Sequence, residues 1–209
     1  MARPREAGDD AVRAFFAIGL AGDVRRRAEA LRARLAALAG GDAVRWVRPE
    51  GLHVTLRFLG GVEAAAVPEL LERVGRETRR VAPFRLSLGA PALFPTPRRA
   101  RVVTLEAGPE PDLRGLAGAV ERGVVAAGLP AEERRFRPHL TLGRVRRGAR
   151  LSLEFVAGMT GPDTPASDAM DVTEAILFRS ELTRGGSIYT SIGRAPLGGA
   201  SDPASPPKP

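Results

Sequence analysis

Apolar residues recur along the chain with two different periods, and the switches between them mark the elements. Val24, Ala28, Leu31, Leu35 and Leu38 step by four and three, which lays one apolar stripe along a helix ending near Gly40-Gly41. Val67, Leu70, Leu71, Val74 and Val81 form a second stripe, with Pro68 suited to a first turn. Leu113, Leu116, Val120 and Val124 form a third, opened by Glu110-Pro111-Asp112 and closed by Gly128. Runs rich in β-formers lie around them, at 12–18, 44–48, 52–59, 84–90, 101–107, 138–145, 151–156, 172–180 and 187–192. Gly60-Gly61, Phe94-Pro95-Thr96-Pro97 and Arg184-Gly185-Gly186 read as turns. Helices mixed with consecutive strands predict an α+β fold rather than regular βαβ winding.

Length and composition bound the rest. With 209 residues, 44% of them hydrophobic, the chain suits one domain or two lobes of about 100 residues each. The expected folded unit is 11–197; residues 1–10 read as a flexible start and 198–209, GGASDPASPPKP, as a disordered tail with no hydrophobic pattern. No apolar run approaches the ~20 residues of a membrane span. The first residues, MARPREAGDD, contain no apolar core of a signal peptide, so the expectation is a cytoplasmic protein. Cysteine is absent, which removes disulfide scaffolds, thiol nucleophiles and Cys-ligated zinc together.

Charge is unevenly spread. The net charge is +8, with 31 arginines and a single lysine, Lys208. Residues 1–150 carry 28 basic and 17 acidic side chains, whereas 151–209 carry 4 and 7. From Arg134 to Arg150 there are seven arginines and no acid. Such a surface favours a polyanion, nucleic acid or phosphate esters; on charge alone, a solvated arginine face without a partner explains it equally well.

The chain has two histidines, and both sit in matching tetrapeptides, His53-Val54-Thr55-Leu56 and His139-Leu140-Thr141-Leu142, 86 residues apart. With ten threonines in the chain, a chance Thr two places after both histidines is roughly a one-in-400 event. On a strand, residues i and i+2 share a face, so each motif presents an imidazole beside a hydroxyl while Val54, Leu56, Leu140 and Leu142 point to the other side. By the same alternation Arg57 shares the face of His53 and Thr55.

Two imidazoles and two hydroxyls suit cleavage of a phosphodiester without metal. One histidine, neutral, takes a proton from water; the other, protonated, gives one to the leaving oxygen; the hydroxyls hold the non-bridging oxygens. A strained cyclic phosphate is a favourable target. A metal site competes, but neither motif offers a carboxylate at helical ligand spacing. A Ser-His-Asp triad would leave one histidine unexplained.

An ordered set of motifs then gives a resemblance. Phe15-Phe16-Ala17-Ile18, Trp46-Val47-Arg48-Pro49-Glu50, His53-Val54-Thr55-Leu56-Arg57-Phe58-Leu59-Gly60, Phe94-Pro95-x-Pro97-Arg98, Arg137-Pro138-His139-Leu140-Thr141-Leu142-Gly143-Arg144-Val145, Ser180-Glu181-Leu182 and Gly186-x-x-Tyr189 follow one another from about Arg13 to Leu197. Together they resemble the two-histidine phosphoesterase superfamily, and within it the bacterial RNA 2′,3′-cyclic phosphodiesterases also called 2′–5′ RNA ligases. Gly19 departs from the pattern, standing where relatives often have Asp, and implies a local loop difference.

The resemblance implies a bilobal α+β fold, two antiparallel sheets with outer helices around a central cleft lined by both H-x-T strands. It implies hydrolysis of 2′,3′-cyclic phosphate at RNA ends to 2′-phosphate, with 2′–5′ joining of tRNA halves as a further activity. By it His53 is the proton donor and His139 the proton acceptor, with Thr55 and Thr141 on the phosphate; the residues themselves leave this direction open. Arg144 matches a family arginine five residues after the second histidine. Arg144, Arg57 and Tyr189 are candidate substrate contacts, Tyr189 as a stacking surface for a terminal base; Phe16 is a second stacking candidate, read with Trp46 as core. No cofactor, metal or membrane is implied, and a monomer is expected. Two other readings stay open: another cyclic phosphate as substrate, such as an ADP-ribose cyclic phosphate, and a protein that binds RNA ends without turnover.

Overall fold

The computed structural model of the chain describes residues 11–159, 169–183 and 186–198. The expected flexible start, the tail from 199 onward and the turn residues Arg184-Gly185 lie outside the described residues. Three helices follow the three apolar stripes: α1 (Gly22–Ala36), α2 (Val67–Thr78) and α3 (Glu110–Ala126). In α3, Pro111 sits in the first turn and Glu110 and Asp112 complement the helix dipole there. Its buried Leu113, Leu116, Val120 and Val124 face the core at helical spacing. It packs closely on α2 at Gly123, where a Cβ would lie 2.4 Å from the Cα of Val74.

Nine strands are β1 (Ala11–Gly19), β2 (Val44–Trp46), β3 (His53–Glu63), β4 (Phe84–Phe94), β5 (Val102–Gly108), β6 (His139–Val145), β7 (Ala169–Val172), β8 (Glu174–Thr183) and β9 (Gly186–Pro196). They pair antiparallel in the order β7-β4-β5-β6-β3-β1-β8-β9, with β2 alongside β6. The two expected sheets are thus halves of one, β3-β1-β8-β9 and β6-β5-β4-β7, joined at a single bridge, Val54 opposite Leu140. Beyond that bridge β3 leaves β6, and β2 takes the vacated edge at Gly143–Val145.

Two sequence expectations change. The run 151–156 is not a strand: Leu153–Gly158 forms a short helix, α4, whose cap Ser152 accepts a hydrogen bond from Phe155 N at 3.0 Å. The run reads as a strand among those rich in β-formers, yet it turns helically, with Phe155 fully buried and Leu153 89% exposed. Gly60-Gly61 is not a turn either; β3 runs through it to Glu63, with Gly60 at φ +76 beside a register shift.

Candidate active site

Val54, Leu56, Leu140 and Leu142 are buried in the core, so His53, Thr55, His139 and Thr141 share the opposite face of the sheet. The bridge sets their relation. Extending the antiparallel register of Val54 and Leu140 by one residue each way puts Thr55 beside His139 and Thr141 beside His53. Each imidazole therefore neighbours the other motif's hydroxyl, an arrangement with local two-fold symmetry.

Both rings are held in the same way. His53 opens β3 after a 3₁₀ turn, Pro49–Gly51, and its Nδ1 lies 2.7 Å from the carbonyl oxygen of Gly51. His139 opens β6 after Pro138, with Nδ1 2.8 Å from the carbonyl oxygen of Arg137. A carbonyl only accepts, so each ring carries its proton on Nδ1 when neutral and leaves Nε2 free. The reactive nitrogen is set by the backbone two residues upstream.

The surroundings of the two rings differ. His53 is half-buried among aromatic rings: Phe15 at 4.8 Å, Tyr189 at 5.1 Å edge-on and Phe178 at 6.3 Å between centroids. Burial, helped by the charges of Arg144 and His139 and opposed by the Gly51 hydrogen bond, lowers its pKa to about 4. His139 is exposed.

Arg144 lies on the site face although simple alternation would turn it away. Register shifts between Val103/Gly143 and Thr104/Thr141, so β6 bulges at Leu142 and the phase reverses. Arg144 then acts electrostatically on His53 and lines a recess with Arg48, Gly51 and Tyr189. The equivalent bulge in β3, at Leu56, has the opposite consequence for Arg57.

Arg57 faces away from the histidines, a correction to the expectation that it adds charge to the cleft. The bulge breaks the alternation on which that expectation rested. Its guanidinium donates to the Glu121 carboxylate on α3 and to the Pro130 carbonyl, and lies 3.7 Å from Glu132. Glu121 in turn accepts from Glu132 N at 2.8 Å. Side-chain and backbone hydrogen bonds from Arg134, aided by the Arg57 charge, outweigh partial burial and hold the pKa of the Glu132 carboxyl at about 2. The strap fastens the irregular segment 129–138 that leads into His139 to the strand that carries His53. Phe58, next along β3, takes the cleft side, with its ring 5.8 Å from Phe15.

Tyr189 lies beside His53, and Phe16, read as core, is fully buried. Sequence reasoning missed Phe15, Phe58 and Phe178, because three aromatics scattered over β1, β3 and β8 carry no common spacing. Gly19, the departure from the family pattern, is paired opposite His53 in the β1–β3 register. Among the described residues no three His, Asp or Glu side chains gather so as to hold a metal ion, and no helix is long and apolar enough to cross a membrane.

Comparison with known proteins matches the profile of the family described as "LigT like Phosphoesterase" to residues 18–104 and again to 105–189, one H-x-T motif in each. A protein of Methanothermobacter thermautotrophicus called RNA 2′,3′-cyclic phosphodiesterase is 35% identical over 185 residues, 87% of this chain and 96% of its own. One of the same name from Thermus thermophilus is 31% identical over 193 residues, covering 90% and 91%. Among solved structures, E. coli LigT complexed with 3′-AMP superposes with a TM-score of 0.72 at 31% identity, covering 90% of this chain and 98% of that one.

Proposed function

The chain belongs to the LigT-like phosphoesterase family, and from that premise we propose that it is an RNA 2′,3′-cyclic phosphodiesterase working by metal-independent histidine acid–base catalysis. The observation that carries the reading is the pair of H-x-T motifs on one sheet face, each imidazole held through Nδ1 so that Nε2 is free.

His139 Nε2 takes a proton from water as the water oxygen forms a bond to phosphorus. The bond from phosphorus to the 3′ oxygen breaks, and His53 Nε2–H delivers a proton to that oxygen. The products are a 2′-phosphate and a 3′-hydroxyl; the proton from water sits on His139 and the one lost by His53 on the sugar, so one exchange with solvent resets the pair. Thr55 and Thr141 donate hydrogen bonds to the non-bridging oxygens as negative charge grows on them. A donor whose pKa is about 4 in the free site must gain its proton with the substrate. The phosphate anion supplies the cause, since an opposite charge beside an imidazole favours imidazolium.

Tyr189 and the neighbouring phenylalanines provide a face for the terminal base. Joining of RNA ends through a 2′–5′ linkage is the same step with a 5′-hydroxyl of a second RNA in the place of water. The test is an RNA oligomer ending in a 2′,3′-cyclic phosphate, incubated in excess EDTA with wild type, His53→Ala and His139→Ala, with 2′- and 3′-phosphate products resolved. The expected result is a 2′-phosphate end, with each variant slower by roughly 10²- to 10⁴-fold. Unchanged turnover in either variant, or RNA binding with no product, rejects the reading.

A further inference from the structure

Two groups of arginines contrast. Several on the helices pair with carboxylates one turn away, as in Arg25–Glu29, Arg73–Glu69, Arg76–Glu72 and Arg114–Glu110. A second set lines a groove of about 850 Å³ between the turn joining β4 to β5 and the loop joining β6 to α4: Arg98, Arg99, Arg101, Arg146, Arg147 and Arg150. All six are exposed, none forms an ion pair among the described residues, and no acidic residue lines the groove.

The groove is continuous with the site. Arg144 lines it and also lines the recess with Tyr189 and Gly51, and its charge reaches His53. The floor includes Leu151, Leu153 and Val156, apolar side chains against which a sugar or base can rest. No aromatic side chain lies in the lining, so the groove offers exposed guanidinium groups for phosphates rather than a surface on which bases stack.

We propose that this groove binds the phosphodiester backbone of the single-stranded RNA immediately upstream of the terminal cyclic phosphate, without regard to sequence. The proposal rests on the reading of the site as an RNA 2′,3′-cyclic phosphodiesterase and adds the substrate class to it, a strand of several nucleotides in preference to a mononucleotide. The covalent link between the terminus at His53 and His139 and the chain passing Arg144 favours RNA over an acidic protein.

The test compares a 2′,3′-cyclic mononucleotide, too short to reach the groove, with an oligonucleotide of about eight residues bearing the same terminus, in wild type and in Arg147→Ala/Arg150→Ala. The expected result is that kcat/KM for the oligomer falls roughly tenfold in the variant while the mononucleotide is turned over as before. On a log–log plot, the salt dependence of oligomer kcat/KM flattens by about 0.7 for each phosphate left without its arginine, hence by about 1.4. Arg147→Lys/Arg150→Lys keeps the charges and restores the wild-type slope. An oligomer rate and slope untouched by the alanine pair overturn the groove while leaving the catalytic reading intact. A wild type that hydrolyses neither substrate defeats the catalytic reading itself. Binding of an acidic polypeptide at the groove, with oligomer turnover unaffected, assigns the surface to a protein and also overturns the proposal.

Discussion

The strands β3 and β6 carry the same four-residue pattern, the same ring-to-backbone hydrogen bond and a bulge at the same place, yet they make unlike halves of a site. After His53 and Thr55, the bulge at Leu56 sends Arg57 to the helices and Phe58 to the cleft. After His139 and Thr141, the bulge at Leu142 sends Gly143 into the gap beside Val44 and Trp46, and Arg144 to the cleft. One half is thereby aromatic and dry, the other basic and open. Duplication of a motif supplies two equivalent groups, and the residues four and five places after each histidine make them unequal. Pairs of titratable groups whose surroundings push them apart are how one site holds an acid and a base at the same pH.

The largest effect, at the threonines, tests how far the difference between the two halves extends. Thr55→Val and Thr141→Val each remove one donor to the phosphate with little change in shape, and each is expected to lower kcat about 10²-fold, near 2.7 kcal/mol. Equal losses in single-turnover assays mean that the phosphate is gripped symmetrically even though the histidines are not. A loss confined to one threonine means that the inequality extends to the hydroxyls.

Next in size is the strap. Arg57→Met keeps much of the stem but leaves Glu121 without its cation and Glu132 with Arg134 alone, at an expected cost of about 2 kcal/mol in unfolding. Because the strap ties segment 129–138 to β3, hydrogen exchange in that segment should rise more than in β3 itself. Exchange confined to β3 would show that the strap does not position the approach to His139.

The smallest effect concerns the glycine that matches Arg57. A Cβ at Gly143 would lie 2.4 Å from Val44 Cγ1 and 3.1 Å from Trp46 Cε3, so Gly143→Ala pushes β2 off β6. The expected destabilisation is about 1–2 kcal/mol, read from denaturant midpoints. No loss of stability would mean that the second half of the site does not depend on that close approach.

These differences also explain what could be read in the sequence. The three helices announced themselves through stripes such as Leu113-Leu116-Val120-Val124, since burial on one face enforces a period. The two H-x-T strands were legible because they consume every histidine in the chain. A bulge leaves no such mark: it adds one residue to a register that only the partner strand defines, so the outward turn of Arg57 was out of reach, and so was the aromatic shell of His53. The short helix α4 was read as a strand because six residues hold too few turns to separate a period of two from 3.6, and the cap at Ser152 was the overlooked signal. The joining of two sheets into one at Val54–Leu140 is a fact of topology with no local signature.

Unequal histidines have a consequence for stability as well as for rate. His53 is neutral in the folded protein down to about pH 4 but takes a proton near 6.5 once unfolded. The unfolded state therefore binds the extra proton between those values, and stability falls as the pH drops through that window.

The most direct measurement follows the imidazole ¹⁵N and ¹H signals of the two histidines as pH is lowered, in the free protein and with a nucleoside 2′-phosphate bound. With only two histidines in the chain, His53→Ala assigns the pair at once. His53 is expected to stay neutral, with its proton on Nδ1, down to about pH 4 in the free protein, and the bound phosphate to raise its pKa. A free His53 that is already protonated at pH 6, or that titrates unchanged when the phosphate binds, would contradict the division of labour between the two strands.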